Sequence, residues 1–198
     1  MTVPTARNPT VALRRRLGAT ERRAQIVEAA TAAFVAEGFV GTSVASIAAS
    51  ADVTVRIVYR HFRSKEALYR TVIERSAALL APVFDQAVGP YGLDTRTLLA
   101  AGRADIDGFR VLWRHAVRER EFADVADGLR VRAVACARAG LESWTPPGAL
   151  DWAAAAVVGY QIEAVVTWLE HGRPEEDARF VKATRAALRA GVRAWSTG

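Results

Sequence analysis

Residues 43–65 read SVASIAASADVTVRIVYRHFRSK and constrain the fold more than any other stretch. Ser43 and Thr54 each stand just before a short run with helical spacing. A hydroxyl at that place accepts a hydrogen bond from the free N–H groups of the first turn. The first run turns Val44, Ile47 and Ala48 to one side. The residues "ADV" break the chain. The second run, from about Val55 to Arg60 and ended by Phe62, places Val58 and Phe62 on one side and Val55, Arg56, Tyr59 and Arg60 on the other. Ser64 then caps a longer helix with Glu66 in its first turn. Two short helices joined by about three residues match the helix-turn-helix pattern, whose first helix crosses the DNA backbone while the second enters the major groove.

Charge supports that reading. Residues 1–75 hold 12 Lys/Arg and 6 Asp/Glu, a balance of +6, and residues 76–198 hold 15 of each. The whole net charge of +6 therefore sits in the first third of the chain. A local basic region is the electrostatic footprint of a polyanion partner, either nucleic acid or an anionic membrane surface. With 51% hydrophobic residues the chain can build a core, and its single cysteine, Cys136, cannot form an internal disulfide. No uncharged run approaches the roughly 18 apolar residues that a membrane helix needs. These features predict a cytoplasmic protein with no membrane partner.

The remainder reads as helix. Residues 1–18, with Pro4, Pro9 and Arg14–Arg15–Arg16, form a disordered basic arm. The first helix starts at an N-cap near Thr20, with Arg23 where a capping box would put Glu, carries Ile26, Ala29, Ala30, Ala33 and Phe34 as one stripe, and stops at Gly38. The fourth helix ends or kinks at Pro82. Helices over about 94–104, 105–118, 121–144, 149–171 and 175–195 follow, with "TPPG" as a clear break. The helix over 149–171 is apolar nearly all round, so it is buried on several sides.

The stretches "RAQIVEAATAAFVAEGFVGTSVASIAASADVT" and "VYRHFRSKEALYRTVI" closely resemble the N-terminal domain of the tetracycline-repressor (TetR) family of transcriptional regulators. The resemblance covers the first 70 or so residues. It implies an all-α homodimer of about nine helices, with a three-helix DNA-binding head over 19–64 (motif 43–62) and a ligand-binding and dimerisation body over 65–198. It places phosphate contacts on Ser43, Tyr59, His61 and Lys65. Thr54, like Ser43, puts a hydroxyl at a helix N-terminus, where free N–H groups already favour an anion. Base readout falls to Val55 and Arg56, with Tyr59 as a further candidate. The chain departs from the family at Arg56, often a small residue or proline, at Ala45, often arginine, and at Asp52, usually glycine. An arginine can bridge guanine O6 and N7, so readout moves to Arg56.

The resemblance implies a palindromic double-stranded DNA operator, a small-molecule effector of unstated identity, and a homodimer through the last two helices, about 149–171 and 175–195. Trp113, Tyr160, Glu163 and Trp168 are candidates to line the effector pocket; the alternative reading makes the aromatics core and pairs Glu163 with an arginine such as Arg110 or Arg114. No catalytic constellation, cofactor motif or metal-ligand spacing stands out. A regulator without an effector, and a basic membrane-surface or RNA-binding helical protein, remain alternative readings.

Overall fold

A chain rich in alanine and arginine, two good helix formers, folds as helices over its described residues. The computed structural model describes residues 18–85, 91 and 93–196. Among them are nine α-helices and no strand: α1 (Ala19–Gly41), α2 (Val44–Ser50), α3 (Val55–His61), α4 (Lys65–Asp85), α5 (Thr95–Ala104), α6 (Ile106–Arg110), α7 (Ala123–Leu141), α8 (Leu150–His171) and α9 (Asp177–Ser196). The expected basic arm lies outside the described residues apart from Gly18.

Helix α1 packs on α4 and on α2, α2 packs on α3, and α4 runs on into the body against α5, α6 and α7. Leu68, Tyr69, Val72, Ile73 and Leu80 of α4 are all buried. The body closes around α8, which buries ten residues from Leu150 to Leu169 against α5, α7 and α9. Burial of α8 explains a sequence that a stripe-forming surface helix would not need. Within Pro147–His171 an 18-residue window with a mean hydropathy of 1.3 is long and apolar enough to cross a membrane, contrary to the sequence reading. Half of it is buried inside the protein's own core.

Several boundaries differ from expectation. The N-cap of α1 is Gly18, whose N–H donates to Glu21 Oε2 at 2.9 Å, so Thr20 is inside the helix and Glu21, not Arg23, closes the cap. Gly38 does break α1, with φ 69°, a value that glycine adopts without strain; one further turn follows to Gly41. Pro82 sits inside α4, which continues to Asp85. Burial of Leu80 and Phe84 on either side holds that last turn despite the missing N–H. The helix expected over 105–118 is α6 followed by a π-turn, Val111–His115, and a 3₁₀ turn, Ala116–Arg118. Val111, Leu112, Trp113 and Ala116 are all buried, more than one stripe of a regular helix can turn inward.

Ion pairs tie the body's helices together. Asp177 at the start of α9 accepts from Arg103 of α5 at 2.8 and 3.1 Å and from Trp168 Nε1 of α8 at 2.6 Å. The Arg103 guanidinium, then the Trp168 indole, hold its carboxyl below the usual carboxylate range. A depressed folded pKa contributes stability above the unfolded value, about 3.9, which is lost as pH falls through the folded value. Asp177→Asn should therefore lower stability by about 1–2 kcal/mol at pH 7 and flatten the loss of stability below pH 4. Urea unfolding across pH 2–7 checks this; parallel pH profiles for the two proteins would show that the three-helix tie contributes nothing.

Candidate nucleic-acid interface

Each short helix of the head is fixed at its N-terminus by a hydroxyl. Ser43 Oγ accepts from Ser46 N at 3.0 Å, and Thr54 Oγ1 accepts from Ile57 N at 3.4 Å. Between them Asp52 adopts φ 49°. This is the left-handed conformation that aspartate tolerates better than most residues, so the turn survives without glycine. Ala51, Val58 and Phe62 are buried and lock α3 onto the core. The opposite side of α3 is open: Val55 is 39% and Tyr59 50% exposed, and Arg56 and Arg60 are exposed with them. Two apolar or aromatic groups and two cations thus stand on one unburied helix face.

The cations around this face divide into two kinds. Arg56, Arg60 and Arg63 have no side-chain partner among the described residues. Arg23 stacks on Phe62, 4.7 Å from its ring. Lys65 is committed: its Nζ donates to Phe39 O at 2.7 Å and Thr42 O at 2.9 Å and lies 4.3 Å from the Phe39 ring. An ammonium has three donors, so one is left for a phosphate. His61 is half-buried, and its Nε2 finds no partner among the described residues. Ser43 and Thr54 thus cap α2 and α3, and Tyr59 stands on the same open face as Val55 and Arg56. The structural role of Lys65 escaped the sequence, because its two acceptors are main-chain carbonyls at the end of another helix.

In the body, Tyr160, Glu163 and Trp168 meet in an open groove of about 380 Å³ between α8 and α9, with Thr167, His171 and Phe180. Trp168 stacks on Phe180 at 4.7 Å. Glu163 pairs with Arg114 at 2.7 Å, one of the two pairings anticipated for it. Arg114 also holds Glu170 at 3.0 Å, and these hydrogen bonds raise the guanidinium's pKa further. Trp113 does not line this groove. It is buried beside Phe109, and its Nε1 has no partner among the described residues.

Residues 26–72 match the profile of the bacterial regulatory proteins of the tetR family. The chain is 28% identical over 182 residues to the HTH-type transcriptional activator FasR of Mycolicibacterium smegmatis, covering 85% of this chain and 82% of that one. Its fold is similar to that of a TetR-like transcriptional regulator from Rhodococcus sp. RHA1, with a TM-score of 0.74, 23% identity, and coverage of 89% and 98%. It is similar also to AibR, solved in complex with isovaleryl coenzyme A and operator DNA, with a TM-score of 0.63, 19% identity, and coverage of 85% and 98%. The head, residues 26–72, thus matches the N-terminal domain of the tetR family.

The chain is a helix-turn-helix, DNA-binding transcriptional regulator. The two kinds of polar group at its interface should separate on mutation. Lys65→Ala leaves two carbonyls without their donor and should cost about 1–3 kcal/mol of stability. Tyr59→Phe should leave stability unchanged. Both should weaken binding to specific and scrambled duplexes alike, because phosphates carry no sequence. Denaturant melts with binding isotherms on the two duplexes check this; an unchanged stability for Lys65→Ala would deny the clip.

Proposed function

We propose that the protein is a cytoplasmic homodimeric repressor that leaves a palindromic operator when a small-molecule effector binds its body. Residues 19–64 are the DNA-binding head and 65–198 the effector-binding and dimerisation body. Ser43, Thr54, Tyr59, His61 and Lys65 hold phosphates, while Arg56 and Val55 read bases. It acts by binding, not catalysis.

The observation that carries the dimer is the outer face of α8 and α9. On α8 this face presents Trp152, Gly159, Tyr160, Glu163 and Thr167, with Trp152 and Tyr160 about half exposed. On α9 it continues as Phe180, Ala183, Ala187, Gly191 and Ala194, with Trp195 set edge-on against Trp152 at 5.1 Å. Glu163 is the one charged residue named on it, and Arg114 partners that. An apolar face of small and aromatic residues suits the same face of a second copy across a two-fold axis.

The groove of Tyr160, Glu163 and Trp168 lies on that face, so in the dimer an effector there would meet both copies. Trp113 offers a buried donor deeper in the body. AibR, which has been solved with a coenzyme A thioester and operator DNA, supports a small-molecule effector. Activation is the second reading, supported by the curated relative's name. The same interface serves either outcome, because the sign of regulation depends on where the operator lies.

Selection of bound sequences from random duplex DNA tests the proposal. It should enrich a palindrome that binds two chains. Arg56→Ala should cost about 1–3 kcal/mol on that sequence and relax one position in each half-site. An unchanged logo with uniformly weaker binding would make Arg56 a phosphate contact; no enrichment would overturn sequence-specific binding.

A further inference from the structure

The exposed surface of α9 is split by sequence. After Asp177 the helix has five cations and no carboxylate. Lys182, Arg185, Arg189 and Arg193 recur at spacings of three and four, which places them on one stripe. With Arg96 of α5 they line a groove of about 640 Å³ together with Ala178, Val181, Ala186 and Ala190. The stripe lies on the opposite flank of α9 from Phe180, Ala187 and Gly191. A dimer through the α8 and α9 face would therefore leave the groove open.

This stripe stands within residues 76–198, whose total charge is zero. Several arginines elsewhere in the body are paired: Arg75 with Asp105, Arg103 with Asp177, Arg114 with Glu163 and Glu170, Arg132 with Asp85. Beside this groove Asp94 pairs with Arg185. The side chains of Arg96, Lys182 and Arg189 have no partner among the described residues. Like charges three and four apart on a helix repel, so the stripe does not help α9 to fold.

We infer that this groove binds a small molecule carrying two or more phosphates beside an apolar group. Guanidinium forks match phosphate oxygens in charge and geometry. Lys182 and Arg193 are eleven residues apart, about 16 Å along a helix, which leaves room for several anionic groups in line. The volume falls within the range of small-molecule sites, roughly 300–1,000 Å³. The alanine and valine lining takes the apolar part. The site is independent of the operator reading, since nothing in it belongs to the head.

Calorimetry on the full chain without DNA tests it, with inorganic tripolyphosphate and ATP as probes. Both should bind once per chain, ATP more tightly through contact with that lining. Lys182→Ala/Arg189→Ala should weaken both at least 10-fold, and the head variant Arg56→Ala/Arg60→Ala should leave both unchanged. Matching thermal melts would show that the exposed substitutions leave the fold intact. No saturable binding, or loss in the head variant alone, would overturn the inference. So would an equal loss of affinity of the α9 variant for scrambled duplex DNA, which would make the groove a DNA contact.

Discussion

Four aromatic rings hold the reading head to the body. Phe34 and Phe39 from α1, Tyr69 from α4 and Phe122 ahead of α7 stand with centroids 4.7–5.1 Å apart along the contacts Phe34–Tyr69, Phe39–Tyr69, Phe39–Phe122 and Tyr69–Phe122. Edge-to-face and tilted packing at that spacing is specific as well as apolar. Phe39 can enter only because Gly38 turns the chain through a positive φ. There a Cβ would sit 3.4 Å from His115 Nδ1. The Phe39 N–H then donates to Glu119 at 3.3 Å. Burial, with Glu119 alongside, pushes the Tyr69 phenol far above its ordinary range, so it stays neutral in this cluster.

From this junction the geometry of the interface follows. Lys65 begins α4 and clasps the carbonyls of Phe39 and Thr42, the residues that lead directly into the Ser43 cap of α2. Helix α2 positions α3 through Ala51 and the Asp52 turn. The far end of α4 is tied to α7 by Arg132 and Asp85, and Arg70 in its second turn is tied to Asp124. The direction of the recognition helix is therefore set by where α4 lies in the body. An effector with different affinity for two positions of α4 would change the spacing of two heads without touching either.

The head was legible in the sequence because its signals are local. Caps at Ser43, Thr54 and Ser64, the inward pair Val58 and Phe62, and the turn around Asp52 lie within a few residues of their partners. Boundaries were missed where a distant partner decides them. Pro82 does not end α4, because Leu80 and Phe84 are buried in the body. The widened turn over Val111–His115 answers a core that needs four neighbouring residues inward. Among the candidate body residues, Tyr160, Glu163 and Trp168 share one helix and came together, whereas Trp113, on another element, did not. The α9 cations were hidden by the zero net charge of residues 76–198; their signal was the spacing of Lys182, Arg185, Arg189 and Arg193, with no acidic residue between them.

The central claim is that two copies of this head, fixed by α4, meet one face of a DNA duplex. Hydroxyl-radical footprinting of the full chain on its preferred duplex measures that most directly. Two blocks of protection, about one helical turn or 10 base pairs apart from centre to centre and offset between strands about a two-fold axis, are the predicted result. A single protected block, or protection spread evenly along the duplex, would contradict it.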